Sequence, residues 1–473
     1  MIDLLATRLS GGGYGPGRYP WRRNILAFLL AVILLGTGVA ASRAQEGNQV
    51  IPIEEAYRMA LKTHELILIS EREIAKSKLL PKKALSMMLP HADAKGGYQT
   101  VNKPINNSSV FGNVIILPKD QTIGEISVRN SIYNPQYFPA RRQANQVISR
   151  NTENYCQVIQ DVLFQVGFQY YQVLRAAELL RNAKELLKTA QEEVRVSKVK
   201  FSSGAVTEEV VLRAEMDMAT AESKFIEGTN QLKMAKDTLK TNIALKTAQY
   251  EVLKPAPLTD PRVSYESLLG RAYGNRFDHK IALAEVELAK TAVEAVKAKF
   301  HPSVEASWDY YAVKHPRFDQ ESNNWAGIVS VKLPVLEGGL RVWELKEKQE
   351  SLAQAKLSLD DKRRTIKIEV EDAMLTAQNN KSMVLKLQKQ VELSQKNYDI
   401  TFSKFKFGAA TMMDVSQAFA ALSSAKTDLI NKTIDYQISL LSIEKAEGIF
   451  VLDLIRSNVA LDRNAYGRKD NNN

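Results

Sequence analysis

The feature that most constrains this chain is a seven-residue apolar rhythm that occurs twice. In the first stretch Ile159, Val166, Val173, Leu180, Leu187 and Val194 follow one another by sevens, and after a short break Val211, Met218, Phe225, Leu232 and Leu239 do the same. In the second, Val370, Ala377, Val384, Val391 and Tyr398 precede Val415, Leu422, Leu429, Tyr436 and Ile443. A strict period of seven winds helices into a left-handed supercoil with knobs-into-holes packing. Ala176, Ala183 and Ala190 flank the first seam and let a neighbouring helix approach closely. The breaks match as well: Lys200-Phe201-Ser202-Ser203-Gly204-Ala205-Val206-Thr207 aligns with Lys404-Phe405-Lys406-Phe407-Gly408-Ala409-Ala410-Thr411. A glycine that ends one helix and a threonine placed to cap the next read as a tight helical turn.

Such a duplication implies two copies of one supersecondary unit. Residues 45–250 read as the first repeat and 263–455 as the second, joined by the proline-rich linker 251–262. Each copy predicts a helix (about 53–89, then 264–300) ending at Pro90 or Pro302. Two short strands, a very long helix (136–202, then 340–406) and a return helix of about 40 residues follow. At the rise of an α-helix the long element spans roughly 100 Å and the shorter two, stacked end to end, match it. That arrangement suits a cylinder of paired helices. Residues 456–473, ending in Asp470-Asn471-Asn472-Asn473, read as a disordered tail. The expected class is α+β, mainly α.

The strand segments alternate. Val304, Ala306, Trp308, Tyr310 and Ala312 oppose Ser303, Glu305, Ser307 and Asp309, and Trp325, Gly327, Val329, Val331 and Leu333 repeat the pattern with Ile328 out of phase. In the first copy Ala92, Ala94 and Tyr98 oppose Asp93, Lys95 and Gln99, while Ile126, Val128 and Ile132 oppose Ser127 and Arg129. Period-two alternation over about ten residues fits a membrane barrel strand, and it also fits an ordinary surface hairpin. Polar loops at 103–122 and 314–323 join the strands. Four strands are too few to close a pore, so a barrel requires several copies of the chain, and three copies give twelve strands. Trp308, Tyr310, Tyr311 and Trp325 then offer an interfacial aromatic belt.

At the N-terminus, Arg22 and Arg23 precede an apolar run from Ile25 to Ala41, and Ser42-Arg43-Ala44 provides small residues at a cleavage position. Residues 1–44 therefore read as a secretory signal, with a retained inner-membrane helix as the alternative. The net charge of +11 falls to +7 without this segment, which holds five basic residues and one acidic one. An exported chain with no basic cluster interleaved with aromatics is not expected to bind nucleic acid. The single cysteine, Cys156, allows no intrachain disulfide and no zinc cluster. No phosphate loop, nucleophile elbow or His-Glu metal helix occurs, and the five histidines show no ligand spacing. No enzyme activity and no cofactor are expected. The pairs Met87-Met88 and Met412-Met413 leave a metal-handling reading open.

Taken in order, these residues resemble the TolC-like outer membrane factor family over about 50–455. The resemblance is carried by Ile53-Glu54-Glu55-Ala56-Tyr57-Arg58-Met59-Ala60-Leu61, by the Leu89-Pro90 exit, by Leu333-Pro334-Val335-Leu336-Glu337-Gly338-Gly339, and by the two Gly-x-x-Thr turns. It implies a homotrimer: a twelve-stranded β-barrel in the outer membrane continued by a twelve-helix α-barrel tunnel through the periplasm. The tunnel opens when a periplasmic adaptor and an inner-membrane transporter dock. Asp414 matches the family's first tunnel-mouth aspartate. Gln417 stands where a second acid is often found, Phe405 where a tyrosine can join the closing network, and Ala410 where an arginine can. A ring of three Asp414 carboxylates and simple support of a helix start are both open readings. The turns, with Gly204, Thr207, Gly408, Thr411, Met412 and Met413, are the expected adaptor contacts, with both methionines exposed. A periplasmic coiled-coil scaffold and a pump adaptor are the alternatives. Neither needs two helical hairpins separated by alternating strands.

Overall fold

The seven-residue seams become long helices because nothing interrupts them. The structure, a computed structural model, describes residues 49–109, 112–247, 249–256, 264–316, 321–450 and 454, with the backbone alone at 49, 106–109 and 112–115. The expected signal (1–44), the end of the linker (257–262) and the tail (456–473) lie outside the described residues. Residues 50–473 group as one unit.

In chain order the elements are β1 (Gln49–Ile51), α1 (Ile53–Thr63), α2 (Glu65–Ser77), α3 (Leu80–Ser86), β2 (His91–Thr100), β3 (Ile105–Ser109), β4 (Gly112–Leu117), β5 (Asp120–Tyr133), α4 (Tyr137–Ser202) and α5 (Glu208–Asn242). They continue with β6 (Tyr250–Val252), α6 (Tyr265–Asn275), α7 (Phe277–Ala298), β7 (Ser303–Lys314), β8 (Asn323–Lys332), α8 (Leu340–Lys406) and α9 (Met412–Glu447). The long helices α4 and α8 run for 66 and 67 residues. Each ends at a glycine with positive φ, Gly204 at 72° and Gly408 at 78°, a conformation that side-chain-bearing residues adopt only with strain.

The entry helices differ from the expected single rods. His64 is extended (φ −72°, ψ 124°) and its Nδ1 accepts from the Leu66 amide, so the first rod breaks into α1 and α2. Arg276 is extended in the same way and divides α6 from α7. The short helices turn their apolar sides onto the long ones. Ala56, Tyr57 and Ala60 of α1 join Ile159, Leu163, Val166 and Tyr170 of α4 in one core, while Leu268 and Ala272 of α6 join Ile366, Val370 and Ile443 in another. The Tyr170 hydroxyl reaches the carbonyls of Ile51 (2.9 Å) and Leu253 (2.5 Å), which fastens the β1–β6 pair to α4.

The strands β2, β5, β7 and β8 form one antiparallel sheet in the order β2-β5-β7-β8. The polar connection expected over 103–122 is not a plain loop. It holds the β3–β4 hairpin, and β5 starts at Asp120. Neighbouring strands keep one register: Ala94 opposes Ile126, Ile126 opposes Tyr310, and Tyr310 opposes Trp325. No described helix is long and apolar enough to cross a membrane.

Gly167 sits where α1 crosses α4. A Cβ there would lie 2.6 Å from the Tyr57 hydroxyl oxygen, which is buried without a hydrogen-bond partner. Gly167→Ala is therefore expected to destabilise the protein by about 1–3 kcal/mol through overpacking. In a Tyr57→Phe background the obstruction is gone, and the same change becomes neutral or stabilising by up to about 1 kcal/mol, the helix preference of alanine over glycine. Thermal unfolding of the two single variants and the double variant measures this coupling.

Candidate functional site

Two regions carry the chemistry that the sequence anticipates: the faces of the sheet and the helical turns. The common register collects Ala92, Ala94 and Tyr98, Ile126 and Val128, Trp308 and Tyr310, and Trp325, Val329 and Val331 on one side. Asp93, Lys95, Glu125, Arg129, Glu305 and Asp309 fall on the other. Ile328, out of phase in the sequence, belongs to this polar side because its register partner is Ser307. Among the described residues no helix covers the apolar side, and Trp325, Val329, Val331 and Tyr98 are exposed. Trp308 and Tyr310 stack with centroids 6.3 Å apart. Tyr311 departs from the expected belt. It pairs with Asn324 and Glu125 and so stands on the polar side, as strand alternation requires.

At the turns the structure separates residues that the sequence placed together. Thr411 and Asp414 form a capping box: the Thr411 amide and hydroxyl donate to Asp414 Oδ2 (2.9 and 2.7 Å), and the Asp414 amide donates to Thr411 Oγ1 (3.2 Å). These hydrogen bonds hold the Asp414 carboxyl below the usual carboxylate range, with the Thr411 side chain contributing most. Asp414 and Gln417 are exposed one helical turn apart on α9. Thr207 occupies the matching N-cap position of α5, but its side chain makes no capping bond.

Met412 corrects the expectation of an exposed methionine pair. As the first residue of α9 it is turned inward and only 3% exposed, with the Ser197 hydroxyl 3.9 Å from its sulfur. Met413 is half exposed, and Arg213 of α5 approaches its sulfur at 2.9 Å. Phe405, expected where a tyrosine can join the closing network, is turned inward as well. It is 2% exposed, the Lys200 ammonium lies 4.7 Å from its ring centroid, and that ammonium also donates to the Phe405 carbonyl. Phe407, beside Gly408, is the apolar residue left most open at this end, at 89%.

Beneath the turns one shared core joins both helical pairs. It contains Leu186, Ala190 and Val194 of α4, Ala214 of α5, Tyr398 and Phe405 of α8, and Val415, Phe419 and Leu422 of α9. Within it lies a group that sequence reasoning missed. Glu193 of α4 is fully buried and accepts a 2.6 Å hydrogen bond from the Tyr398 hydroxyl of α8. Asp217 of α5, nearby, accepts from Ser416 of α9. The available signal was Tyr398 itself: a phenol at a heptad position whose counterparts are valine and alanine needs a polar partner inside the seam. Among the described residues no group of three or more His, Cys, Asp or Glu side chains is arranged to hold a metal.

The capping geometry gives a direct test. Thr411→Ala should loosen the first turn of α9 by about 1 kcal/mol, whereas Thr207→Ala, which removes no capping bond, should leave α5 nearly unchanged. The Asp414 part of the box is present above the ordinary aspartate pKa and disappears as pH falls through its lowered folded value. Amide hydrogen exchange in the two first turns, compared at neutral and acid pH, reads both effects.

Comparison with known proteins places this geometry. The sequence pattern of the family described as outer membrane efflux protein matches residues 127–244 and 268–448. The outer membrane protein TolC of Vibrio cholerae is 21% identical over 378 residues, covering 77% of this chain and 83% of that protein. The crystal structure of CusC, described in terms of transmembrane channel formation, superposes with a TM-score of 0.71 at 14% identity, over 86% of this chain and 95% of that one. The outer membrane channel CmeC of Campylobacter jejuni superposes with a TM-score of 0.69 at 16% identity, over 84% and 86%. At such identities the two superpositions speak for the fold alone, and the family match extends over more than half of the chain. The chain belongs to the outer membrane efflux protein family and is an export channel protein of the Gram-negative outer membrane.

Proposed function

We propose that three copies of this chain complete one passive conduit, a twelve-stranded barrel in the outer membrane continued by a helical tunnel in the periplasm. The observation that carries this reading is the sheet. Its four strands expose an uncovered apolar side, oppose it with a charged side, and leave both edges, β2 and β8, unpaired among the described residues. Unpaired backbone groups at a strand edge are tolerated in lipid only when another strand closes them, so β2 of one copy joins β8 of the next. The apolar side then meets lipid, with Trp308, Tyr310 and Trp325 toward it, and Asp93, Glu125, Arg129 and Asp309 line a wet bore.

A second feature supports several copies. On α8, Leu357, Ile368, Leu375, Leu393 and Ile400 are all exposed, and the helical period places them on a single stripe. A long apolar stripe on an otherwise charged helix is satisfied by packing against another copy's helices. The two halves of the chain, 45–250 and 263–455, each supply one stave of the wall, with 1–44 as the export signal.

Transport on this reading involves no reaction in the chain. Cargo arrives from an inner-membrane transporter through a periplasmic adaptor that grips the turns around Gly204, Thr207, Gly408, Thr411 and Met413, with Phe407 as the most open apolar contact. Three Asp414 carboxylates, exposed and held ionised by their capping bonds, form an acidic ring that favours cations, and Gln417 adds a neutral ring one turn on.

Purified protein in lipid bilayers should conduct, and cysteines placed at β2 and β8 should cross-link between copies. A monomer in detergent that passes no current would refute the conduit. Within a conducting channel, Asp414→Ala should reduce cation preference and block by polyvalent cations. Unchanged selectivity would confine Asp414 to helix capping.

A further inference from the structure

The buried acid above the turns has no place in the conduit reading, and its surroundings are specific. Glu193 is fully buried inside the core that unites α4, α5, α8 and α9. Oε1 takes the 2.6 Å hydrogen bond from Tyr398, while Oε2 is buried with no partner. Each element packed around it contributes a known neighbour. From α8 it is the Tyr398 phenol. From α5 it is Asp217, a like charge. From α9 the polar neighbours are Ser416, which donates to Asp217, and Met412, whose sulfur faces Ser197 one turn along α4. Among the described residues no cation acts on Glu193; Lys200, the basic residue of α4 that bonds across to α8, is directed to Phe405 instead.

A carboxyl with one unpartnered oxygen in a dry seam is tolerated when neutral and costly when charged. Burial pushes the Glu193 pKa up to about 7, the Tyr398 hydrogen bond pulls in the opposite direction, and Asp217 adds to the rise. The sign follows directly. The packed state holds the proton more tightly than an unfolded chain, so the packing around Glu193 is most stable below the ordinary glutamate value. It loses stability as pH rises through about 7, because the cost of burying the charge outweighs the Tyr398 hydrogen bond. This hydrogen bond runs from α4 to α8, and so links the α4–α5 pair to the α8–α9 pair just above both turns.

We propose that buried Glu193 is a proton-sensitive tie: the two helical pairs stay packed near the turns while it is neutral, and charging it loosens them there although Tyr398 still donates to it. Glu193 is thus a positioning residue. It touches no cargo and acts by setting how firmly α8 is held against α4. If the proposed conduit has its narrow end at the turns, release at higher pH widens that end. This consequence rests on the conduit reading, and the tie itself does not.

The test uses the purified full-length protein in lipid nanodiscs. Amide hydrogen exchange around Tyr398 and Phe405 is corrected for intrinsic rates and followed from about pH 5 to about pH 9, either side of neutrality. The wild type should lose protection by about tenfold across this range with a midpoint near 7. Glu193→Gln, neutral at every pH and close in shape, should show a flat profile. Tyr398→Phe removes the bond that favours the charged form and should move the midpoint upward. Asp217→Asn removes the like charge and should move it downward. A wild-type profile already flat, or a Glu193→Gln profile that follows the wild type, overturns the tie. Conductance across the same pH range is the second readout. Current in no variant at any pH overturns the conduit, whereas current whose pH dependence survives Glu193→Gln overturns the tie alone.

Discussion

Close packing of long helices along seven-residue seams is the interaction on which the rest of this structure depends. Ile159, Val166, Val173, Val415, Leu422 and Ile443 at the seam positions are buried, and others such as Leu180, Leu187 and Val391 are partly buried. The small residues Ala176, Ala183 and Ala190 bring the neighbouring helix close enough for their contacts to close. Dispersion contacts are individually weak and add up over length, which is why helices of 66 and 67 residues can be uniform where compact proteins use short ones. The helices in turn fix the separation at which the strands leave them, and so the register of the sheet.

The same packing explains where polar groups are allowed. Most charged side chains lie on the open faces of the helices and form short-range pairs such as Lys389 and Lys396 with Glu392, which lower the Glu392 pKa to about 2 without adding much to stability at an exposed site. Inside the seams several polar groups are held by specific bonds. Tyr170 reaches two carbonyls, Asn380 Nδ2 donates to the Asp435 carbonyl, and Arg175 pairs with Asp435 between α4 and α9. Others are less well satisfied: the Tyr57 hydroxyl and half of the Glu193 carboxyl are buried and unpartnered.

The sheet works on a different principle. No described helix packs on the apolar side of the sheet, so the exposed residues there, Trp325, Val329 and Val331, gain little until lipid or another copy meets them. The helical wall shares this incompleteness on a smaller scale in the exposed stripe of α8. Open sheet edges and an open helix stripe are the features on which the proposed assembly of several copies rests.

What the sequence determined by itself was everything governed by a local period. The seven-residue spacing located both long helices to within a residue and the starts of both return helices, which at 35 and 36 residues are shorter than the expected length of about 40. The glycines marked the turns, and alternation marked the strands of the second half. Periodicity is legible because each side chain's direction follows from its place along the chain. Tertiary structure alone decided what depends on a neighbour from elsewhere. The extended residues His64 and Arg276 break helices that have no proline there, because the short segments must bend onto α4 and α8. Met412 faces inward because the capping box orients the first turn of α9 over Ser197. Tyr311 sits opposite the other aromatics because a strand has two sides, and only the register across three strands shows which side is apolar. Glu193 and Tyr398 stand 205 positions apart in sequence, and no spacing rule connects them until the two helical pairs meet.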